Sequence, residues 1–186
     1  MYDHYFDPLR DENCSVAEGR AEMEDVMHSA RLLERVVGRI IRFMPEGLST
    51  YDKYYYLAAV ICACDSYSNK PENCFTAFGA LISGKSVCEG YSKAFYLLCR
   101  EADLWCAYRF GSSENGEGHI WNMIKLDSGI YNVDVTWCDN TENPCSYKWY
   151  SNFAISDSEN YYTGHRPSSG PESTGEFEPS PYQYTP

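Results

Sequence analysis

The chain has 186 residues, of which 44% are hydrophobic, and this is enough for one domain with a buried core. Its net charge of −12 and the absence of any lysine or arginine cluster exclude the basic surface of a nucleic-acid-binding protein. No apolar stretch approaches the roughly 18 residues that a membrane-spanning helix needs, which argues against membrane insertion. We expect a monomer.

Nine cysteines are an odd number, so at least one thiol has no partner within a monomer. The chain contains no CxxC pair, and the irregular gaps favour neither a zinc site nor any other metal or cofactor. The spacing permits two disulfides, Cys99 with Cys106 and Cys138 with Cys145, and the sequence alone does not decide whether either forms.

The first half of the chain has the periodicity of helices. A helix is predicted from Ser15 to Met44, where Pro45 and Gly47 end it, and a second from Tyr51 to Asp65. The apolar stripe of the first comprises Val26, Ala30, Leu33, Val37, Ile40 and Ile41, and that of the second comprises Tyr54, Leu57, Ala58 and Ile61.

A third helix is predicted to begin around Cys88. A short helix over Phe75–Ile82 ends at Ser83-Gly84, and Ser86 and Glu89 then have the spacing of a capping box. Cys88 therefore falls in the first turn of the new helix. Its buried face is predicted to comprise Tyr91, Ala94, Phe95, Leu98 and Ala102.

The second half of the chain has the period and composition of strands. The predicted strands are 105–110, 119–126, 130–137 and 148–155, with Asp127-Ser128-Gly129 as a hairpin turn. Helices followed by antiparallel strands predict an α+β fold.

Three segments are predicted along the chain. Residues 1–47 form a helical segment packed on the core, and residues 48–165 form the core itself. Residues 166–186 are rich in proline, serine and glycine and nearly free of aliphatic side chains, which is typical of a tail or linker.

The position of Cys88 suggests a nucleophile. The thiolate is the reactive form of cysteine, and the unpaired N–H groups and partial positive charge at a helix start stabilise it. The same N–H groups are suited to hold the oxyanion that forms when a thiolate attacks an acyl carbon.

A nucleophilic cysteine needs an imidazole as base, and the imidazole needs a partner that fixes its tautomer. Among the four histidines only His119 begins a predicted core strand, and Asp134 lies among valines in the next one. In the simplest hairpin these two residues share a face without being directly opposite, so a bulge or another register is expected. Asp139 and Asp127 remain alternatives for the third residue.

Two blocks of sequence resemble the transglutaminase-like superfamily. GALISGKSVCEGYSKAF is similar to the cysteine motif of that family, and GHIWNMIKLDSGIYNVDVTW to its histidine–aspartate motif. The resemblance begins around Tyr51, after the first helix, and extends to about His165. It implies a papain-like α+β core and a catalytic triad of Cys88, His119 and Asp134. It also implies that Trp121, Asn122 and Trp137 line the site or pack beside it.

The resemblance implies a thiol enzyme that attacks an amide or peptide carbonyl of a protein or peptide substrate through an acyl-enzyme. Hydrolysis is the first expectation, because the chain has nothing similar to the calcium-binding clusters or extra β-domains of animal transglutaminases. The alternatives are transfer to an amine, as in a transglutaminase, and a binding or scaffold module without activity.

An extracellular or envelope-facing location in a bacterium is expected from the acidic, tyrosine-rich composition and the spacer-like tail. The N-terminus has no signal peptide, so this expectation requires a longer precursor. Because an oxidising exterior threatens a reactive thiol, we also expect Cys88 to remain unpaired there.

Overall fold

Three long helices come first in the chain, and an antiparallel sheet packs against them. The computed structural model describes residues 16–139 and 147–174, with side chains from residue 23 and, after the gap, from residue 149. The helices are α1 (Val16–Arg42), α2 (Thr50–Cys64) and α3 (Cys88–Glu101). Helix α3 is central, since it contacts α1, α2 and the sheet.

The predicted apolar stripes explain how these helices pack. In α2 the buried residues are the four of the predicted stripe, and in α3 the buried face includes Tyr91, Ala94, Phe95 and Leu98. Among the side chains of α1 that the structure describes, from residue 23 onward, those of the second half pack on the core: Val37 is buried, whereas Val26 is 48% exposed.

A π-helical turn at Gly79–Ser83 leads towards α3. It ends where the sequence predicts, at Gly84, whose φ of 65° lies in the left-handed region that glycine adopts without strain.

The sheet has five strands in the order β4-β3-β2-β1-β5, and all neighbours are antiparallel. The strands are β1 (Cys106–Ser113), β2 (Gly118–Leu126), β3 (Gly129–Val133), β4 (Phe153–Ile155) and β5 (His165–Ser169). Short helices α4 (Val135–Cys138), α5 (Tyr147–Tyr150) and α6 (Asp157–Tyr162) connect the later strands. The chain thus has the expected α+β fold.

Alternate residues of β2 face opposite sides of the sheet. Ile124 belongs to the hydrophobic core shared with the helices, whereas Trp121 and Met123 are buried outside that core, on the other face. Arg109 is paired with Trp121 across β1 and β2, and His119 lies two residues before Trp121. The second face therefore carries polar as well as aromatic side chains.

Two predicted strands are too long. The strand predicted over 130–137 ends at Val133, because the Asp134 side chain accepts a hydrogen bond from the Trp137 N–H and thereby caps α4. The strand predicted over 148–155 is reduced to β4, since α5 occupies its first residues.

The tail predicted from residue 166 is wrong in its first part. Residues 166–169 belong to β5, which pairs with β1, and Ser173 and Thr174 bond to Ile130 in β3. Backbone pairing, which does not require aliphatic side chains, places this segment on the sheet. Residues 175–186 lie outside the described residues.

The described cysteines are free thiols, including Cys99 and Cys106, so the first of the two open disulfides is not formed. Cys145 lies outside the described residues, so the second stays a prediction. Among the described helices, none has the length and hydropathy needed to cross a bilayer.

Candidate active site

Cys88 is the first residue of α3, preceded by extended backbone at Val87. The first hydrogen bond of the helix runs from the Tyr91 N–H to the Val87 carbonyl, at 3.1 Å. The N–H groups of residues 88–90 therefore have no carbonyl partner within the helix. They lie beside the thiol, where they are able to stabilise a thiolate or an adjacent oxyanion.

Gly90 allows this helix start to pack closely on its surroundings. A Cβ at residue 90 would lie 2.4 Å from the Ser86 Cβ and 2.6 Å from the Cys74 carbonyl oxygen, closer than atoms are able to approach. The missing side chain thus lets the first turn of α3 rest on the preceding loop, which positions Cys88.

The predicted capping box at Ser86 and Glu89 is wrong. The N-cap is Val87, one residue later, and the buried Ser86 hydroxyl donates instead to the Asp65 carboxylate. Glu89 pairs with Lys93 at 2.6 Å on the surface. Burial raises the pKa of Asp65 to about 6, although the hydrogen bond from Ser86 opposes the rise.

His119 lies at the beginning of β2, beside both of its predicted partners. Its Nε2 lies 2.6 Å from Asp134 Oδ2, and it shares a pocket with Cys88, which is near enough to contribute to the raised pKa of the ring. An ionised carboxylate accepts only, so Nε2 carries a proton and donates it to Asp134. Nδ1 is the nitrogen left for Cys88.

No bulge between β2 and β3 is needed to bring Asp134 to His119. The two strands pair regularly from Asn122–Val133 to Leu126–Gly129, so Asp134 falls opposite Trp121 and diagonal to His119. Diagonal neighbours in a sheet lie about 7–8 Å apart, within reach of long side chains. Of the two expectations, a bulge or another register, the structure has the other register: Leu126 pairs with Gly129 across the turn, and no bulge interrupts β2 and β3.

The alternatives for the third residue have other positions. Asp139 accepts a hydrogen bond from the Tyr91 hydroxyl at 2.5 Å, and Asp127 is exposed at the β2–β3 turn. Among these carboxylates, the structure gives a hydrogen bond with the imidazole of His119 to Asp134.

The electrostatics of the pair favour an imidazolium beside a carboxylate. Burial alone would lower the pKa of His119, but the charge and hydrogen bond of Asp134, together with Cys88, raise it to about 10. Burial would raise the pKa of Asp134, yet His119 and a second histidine hold it well below its usual range. At neutral pH the pair therefore carries both charges.

That second histidine is His165, the last residue of the predicted core, to which the sequence assigned no role. It is fully buried at the start of β5, and its Nε2 lies 2.9 Å from the same Asp134 oxygen. The resemblance to the family extends as far as this residue, and this was the signal that could have identified it. The low aliphatic content of the following residues concealed it.

The Cys88 thiol and the His119 ring open into a pocket of about 360 Å³. Its lining comprises Tyr67, Cys88, Ser113, Glu117, Gly118, His119, Thr136 and Trp137. Of the three residues expected at the site wall, only Trp137 lines this pocket. Trp121 and Asn122 are fully buried, and they donate hydrogen bonds to the Asn132 side chain and the Ser92 carbonyl. They are therefore packing residues without surface to offer a substrate.

His119, Asp134 and His165 place their ligand-type atoms within 4.8 Å of one another. Two ligands of one tetrahedral zinc ion lie about 3.3 Å apart, given metal–ligand bonds of about 2.0–2.1 Å. The two nitrogens approach the Asp134 oxygen more closely, at 2.6 and 2.9 Å. These distances are those of hydrogen bonds, so the three side chains are arranged as a hydrogen-bonded group and not as the ligands of a zinc ion.

Comparison with known protein families gives a match over most of the chain. The family model described as the transglutaminase-like superfamily matches residues 20–138, which include most of α1 as well as the site. The match therefore begins earlier than the resemblance in the sequence motifs.

Individual relatives match over shorter stretches. The chain is 30% identical over 84 residues to kyphoscoliosis peptidase of Mus musculus, covering 39% of this chain and 13% of that protein. It is 32% identical over 79 residues to the Homo sapiens protein, covering 37% and 12%. The chain thus matches about one-eighth of the length of these relatives. A crystal structure of a TGase has a TM-score of 0.47 and 13% identity, covering 69% of this chain and 35% of that one.

Proposed function

Because the chain belongs to the transglutaminase-like superfamily, we propose that it is a thiol-dependent acyl-transfer enzyme that acts on amide or peptide bonds. In this proposal Cys88 is the nucleophile, His119 its acid and base, and Asp134 the group that orients His119. The observation that carries the proposal is the position of His119, whose Nε2 is bound to Asp134 while its ring lines the same pocket as Cys88.

In the proposed reaction the proton of the Cys88 thiol already lies on His119 Nδ1 when the substrate binds, because His119 is an imidazolium at neutral pH. The thiolate attacks the carbonyl carbon of the substrate, and the backbone N–H groups at the start of α3 stabilise the resulting oxyanion. When the tetrahedral intermediate collapses, His119 returns the proton to the leaving amine and a thioester to Cys88 remains. A second nucleophile, activated by His119, attacks this thioester and regenerates the thiol.

We propose water as the second nucleophile, so that the enzyme is a peptidase or deamidase. The relatives with 30% and 32% identity are named peptidases, which supports hydrolysis. An amine such as a lysine side chain would make the enzyme a transglutaminase with the same residues. An extracellular or envelope-facing position in a bacterium belongs to the same proposal.

A binding module without activity is the rival from another functional class. The position of His119 counts against it, because a chain without catalysis has no reason to hold a buried imidazole on a carboxylate beside a thiol.

Limited alkylation with iodoacetamide, followed by peptide mass spectrometry, tests the proposal. We expect Cys88 to react well before the other thiols at pH 7, because His119 keeps it as a thiolate, and we expect His119→Ala to remove this selectivity. Exposed Cys64 provides an internal control for simple accessibility. Equal labelling of Cys64 and Cys88 would contradict an activated thiol and favour the inert module.

The second nucleophile is tested with casein as substrate. Release of new N-termini, or conversion of a side-chain amide to a carboxylate, identifies hydrolysis, whereas covalent incorporation of a fluorescent primary amine identifies transamidation; ammonia is released in both reactions when the substrate is a side-chain amide. Both activities should disappear in Cys88→Ala.

A further inference from the structure

His165 is a fully buried histidine that binds the Asp134 carboxylate without touching the pocket. Because an ionised carboxylate only accepts, the Nε2 of His165 must carry a proton and donate it. Asp134 Oδ2 therefore accepts two hydrogen bonds, from His119 at 2.6 Å and from His165 at 2.9 Å. The other oxygen, Oδ1, accepts from the Trp137 N–H at 3.1 Å.

The other nitrogen of His165 is also bound. Its Nδ1 lies 3.0 Å from the Thr163 hydroxyl, and that hydroxyl lies 2.9 Å from the Asn160 carbonyl oxygen. Thr163 has one proton for these two neighbours. It donates that proton either to the Asn160 carbonyl or to His165 Nδ1. In both cases Nε2–H remains the donor to Asp134.

The ring of His165 is held in place from several sides. Its centroid lies 4.1 Å from that of Trp137 and 4.8 Å from that of Trp121, and its backbone is paired with Ser113 in β1. The His119 ring lies 5.7 Å away, too far for a direct hydrogen bond. Any influence of His165 on His119 therefore passes mainly through the shared Asp134 oxygen.

We propose that His165 is a positioning residue for the proposed reaction: by sharing one oxygen of Asp134 with His119, it limits how firmly His119 holds its proton. This inference rests on the proposed function, because it concerns the same acid and base. Asp134 keeps its orientation without His165, since the Trp137 N–H and His119 still bind it. The main consequence of losing His165 is thus a change in charge rather than a loss of geometry.

The negative charge of Asp134 determines whether loss of His165 strengthens or weakens the hold of His119 on its proton. Without His165, the negative charge on Oδ2 is shared with His119 alone, which stabilises the imidazolium more strongly. A firmer hold on the proton slows its return to the leaving amine. The charged or titratable groups that face His119 are Cys88 from α3, Asp134 at the start of α4 and His165 from β5, with Glu117 and Tyr67 at the pocket.

The pH dependence of Cys88 alkylation measures this effect without a known substrate. The rate constant for iodoacetamide rises once when the thiolate forms, and again when His119 loses its proton and no longer compensates the thiolate. In His165→Phe we expect the second inflection to move up by about 1 pH unit and casein turnover to fall about tenfold, the same free-energy change of about 1.4 kcal/mol.

Two further variants separate positioning from packing. His165→Gln keeps an N–H donor near the Nε2 position and should restore the second inflection to within about 0.3 pH units of wild type. His28→Gln, on the exposed face of α1, is the control for loss of a histidine and should change neither inflection nor turnover.

An inflection that stays in place or moves down in a folded His165→Phe variant would overturn the inference. If that variant does not fold, Thr163→Val decides, because it keeps His165 but removes the partner of Nδ1. It should move the inflection upward by a smaller amount, and an unchanged inflection would be decisive against the idea. Loss of selective Cys88 labelling in wild type would instead overturn the proposed function, so the two failures are distinguishable.

Discussion

Two buried polar centres lie on the same face of the sheet, and they have different properties. In the first, Arg109 donates to both oxygens of Asp157, and Asn132 and the Ser173 N–H complete the partners of that carboxylate. In the second, Asp134 accepts from His119, His165 and the Trp137 N–H. Trp121 links the two centres, since it donates to Asn132 and packs against His165.

The two carboxylates are similar, so the difference lies in the cation. The guanidinium of Arg109 does not lose its proton at any physiological pH, and it is not among the groups that line the pocket. His119 exchanges its proton and reaches the pocket beside Cys88. Low pKa values at both aspartates therefore do not distinguish function from structure. What distinguishes the second centre is that the proton of His119 is exchangeable and lies next to the accessible Cys88 thiol.

The largest expected effect separates activity from stability at the second centre. Cys88→Ala should reduce turnover of casein by at least about 10⁴-fold, because the covalent intermediate cannot form. The melting temperature should stay within a few degrees of wild type, since alanine at this half-buried helix start leaves little cavity. Calorimetry and the casein assay check both parts. Equal turnover in the variant and wild type would end the enzyme proposal.

The opposite result is expected at the first centre. Arg109→Met should lower the free energy of unfolding by about 2–3 kcal/mol, because it leaves the Asp157 carboxylate without its guanidinium partner and removes one of the two donors to Asn132. The Asp157 side chain is 37% exposed, which reduces the cost compared with a fully buried pair. Urea unfolding measures the loss. Iodoacetamide labelling of the folded variant should still select Cys88, and loss of that selectivity would mean that the two centres are not independent.

The difference in the free energy of unfolding between wild type and Asp134→Asn should depend on pH. The pKa of His119 is raised from 6.5 to about 10 in the folded chain, so the stabilisation by Asp134 is complete below about pH 6.5. It decreases as the pH rises and is lost above about pH 10. We expect wild type to be about 1.5–3 kcal/mol more stable at pH 6 and the difference to shrink by pH 10.

Urea unfolding at several pH values measures this difference, and Asp127→Asn at the exposed hairpin turn is the matched control. Its stability relative to wild type should not depend on pH in this range. A constant difference for Asp134→Asn would argue against a charged pair of His119 and Asp134.

The smallest expected effect concerns the position of Cys88. Gly90→Ala should cost about 1–3 kcal/mol, because its Cβ would meet the Cys74 carbonyl oxygen at 2.6 Å and displace the start of α3. Gly38→Ala is the matched control: no atom lies within 4 Å of its Cβ, and alanine in a helix is favoured by about 0.5–1 kcal/mol. If Gly90→Ala unfolds like Gly38→Ala and Cys88 keeps its reactivity, close packing does not position the thiol.

The sequence by itself determined the elements with strong local patterns. The stripes of α2 and α3 predict their buried faces because neighbouring turns of a helix expose every third or fourth residue to the same side. The family motifs, combined with the chemistry that a thiol nucleophile requires, made Cys88, His119 and Asp134 the candidate residues. These inferences depend on residue type and short spacing, which the chain carries without folding.

Only the tertiary structure decided how these residues meet. Asp134 is the N-cap of α4, and from there its side chain reaches His119 diagonally across the sheet. The valines on either side of Asp134 favour a strand, so the sequence predicted a strand at this position and missed the helix cap. His165 lies 31 residues after Asp134, and it reaches the site because β5 pairs with the far edge of β1. That pairing uses backbone hydrogen bonds, and an edge strand forms them even though Pro167 has no N–H to donate. No periodicity therefore predicts it, and the contact exists only in the folded chain.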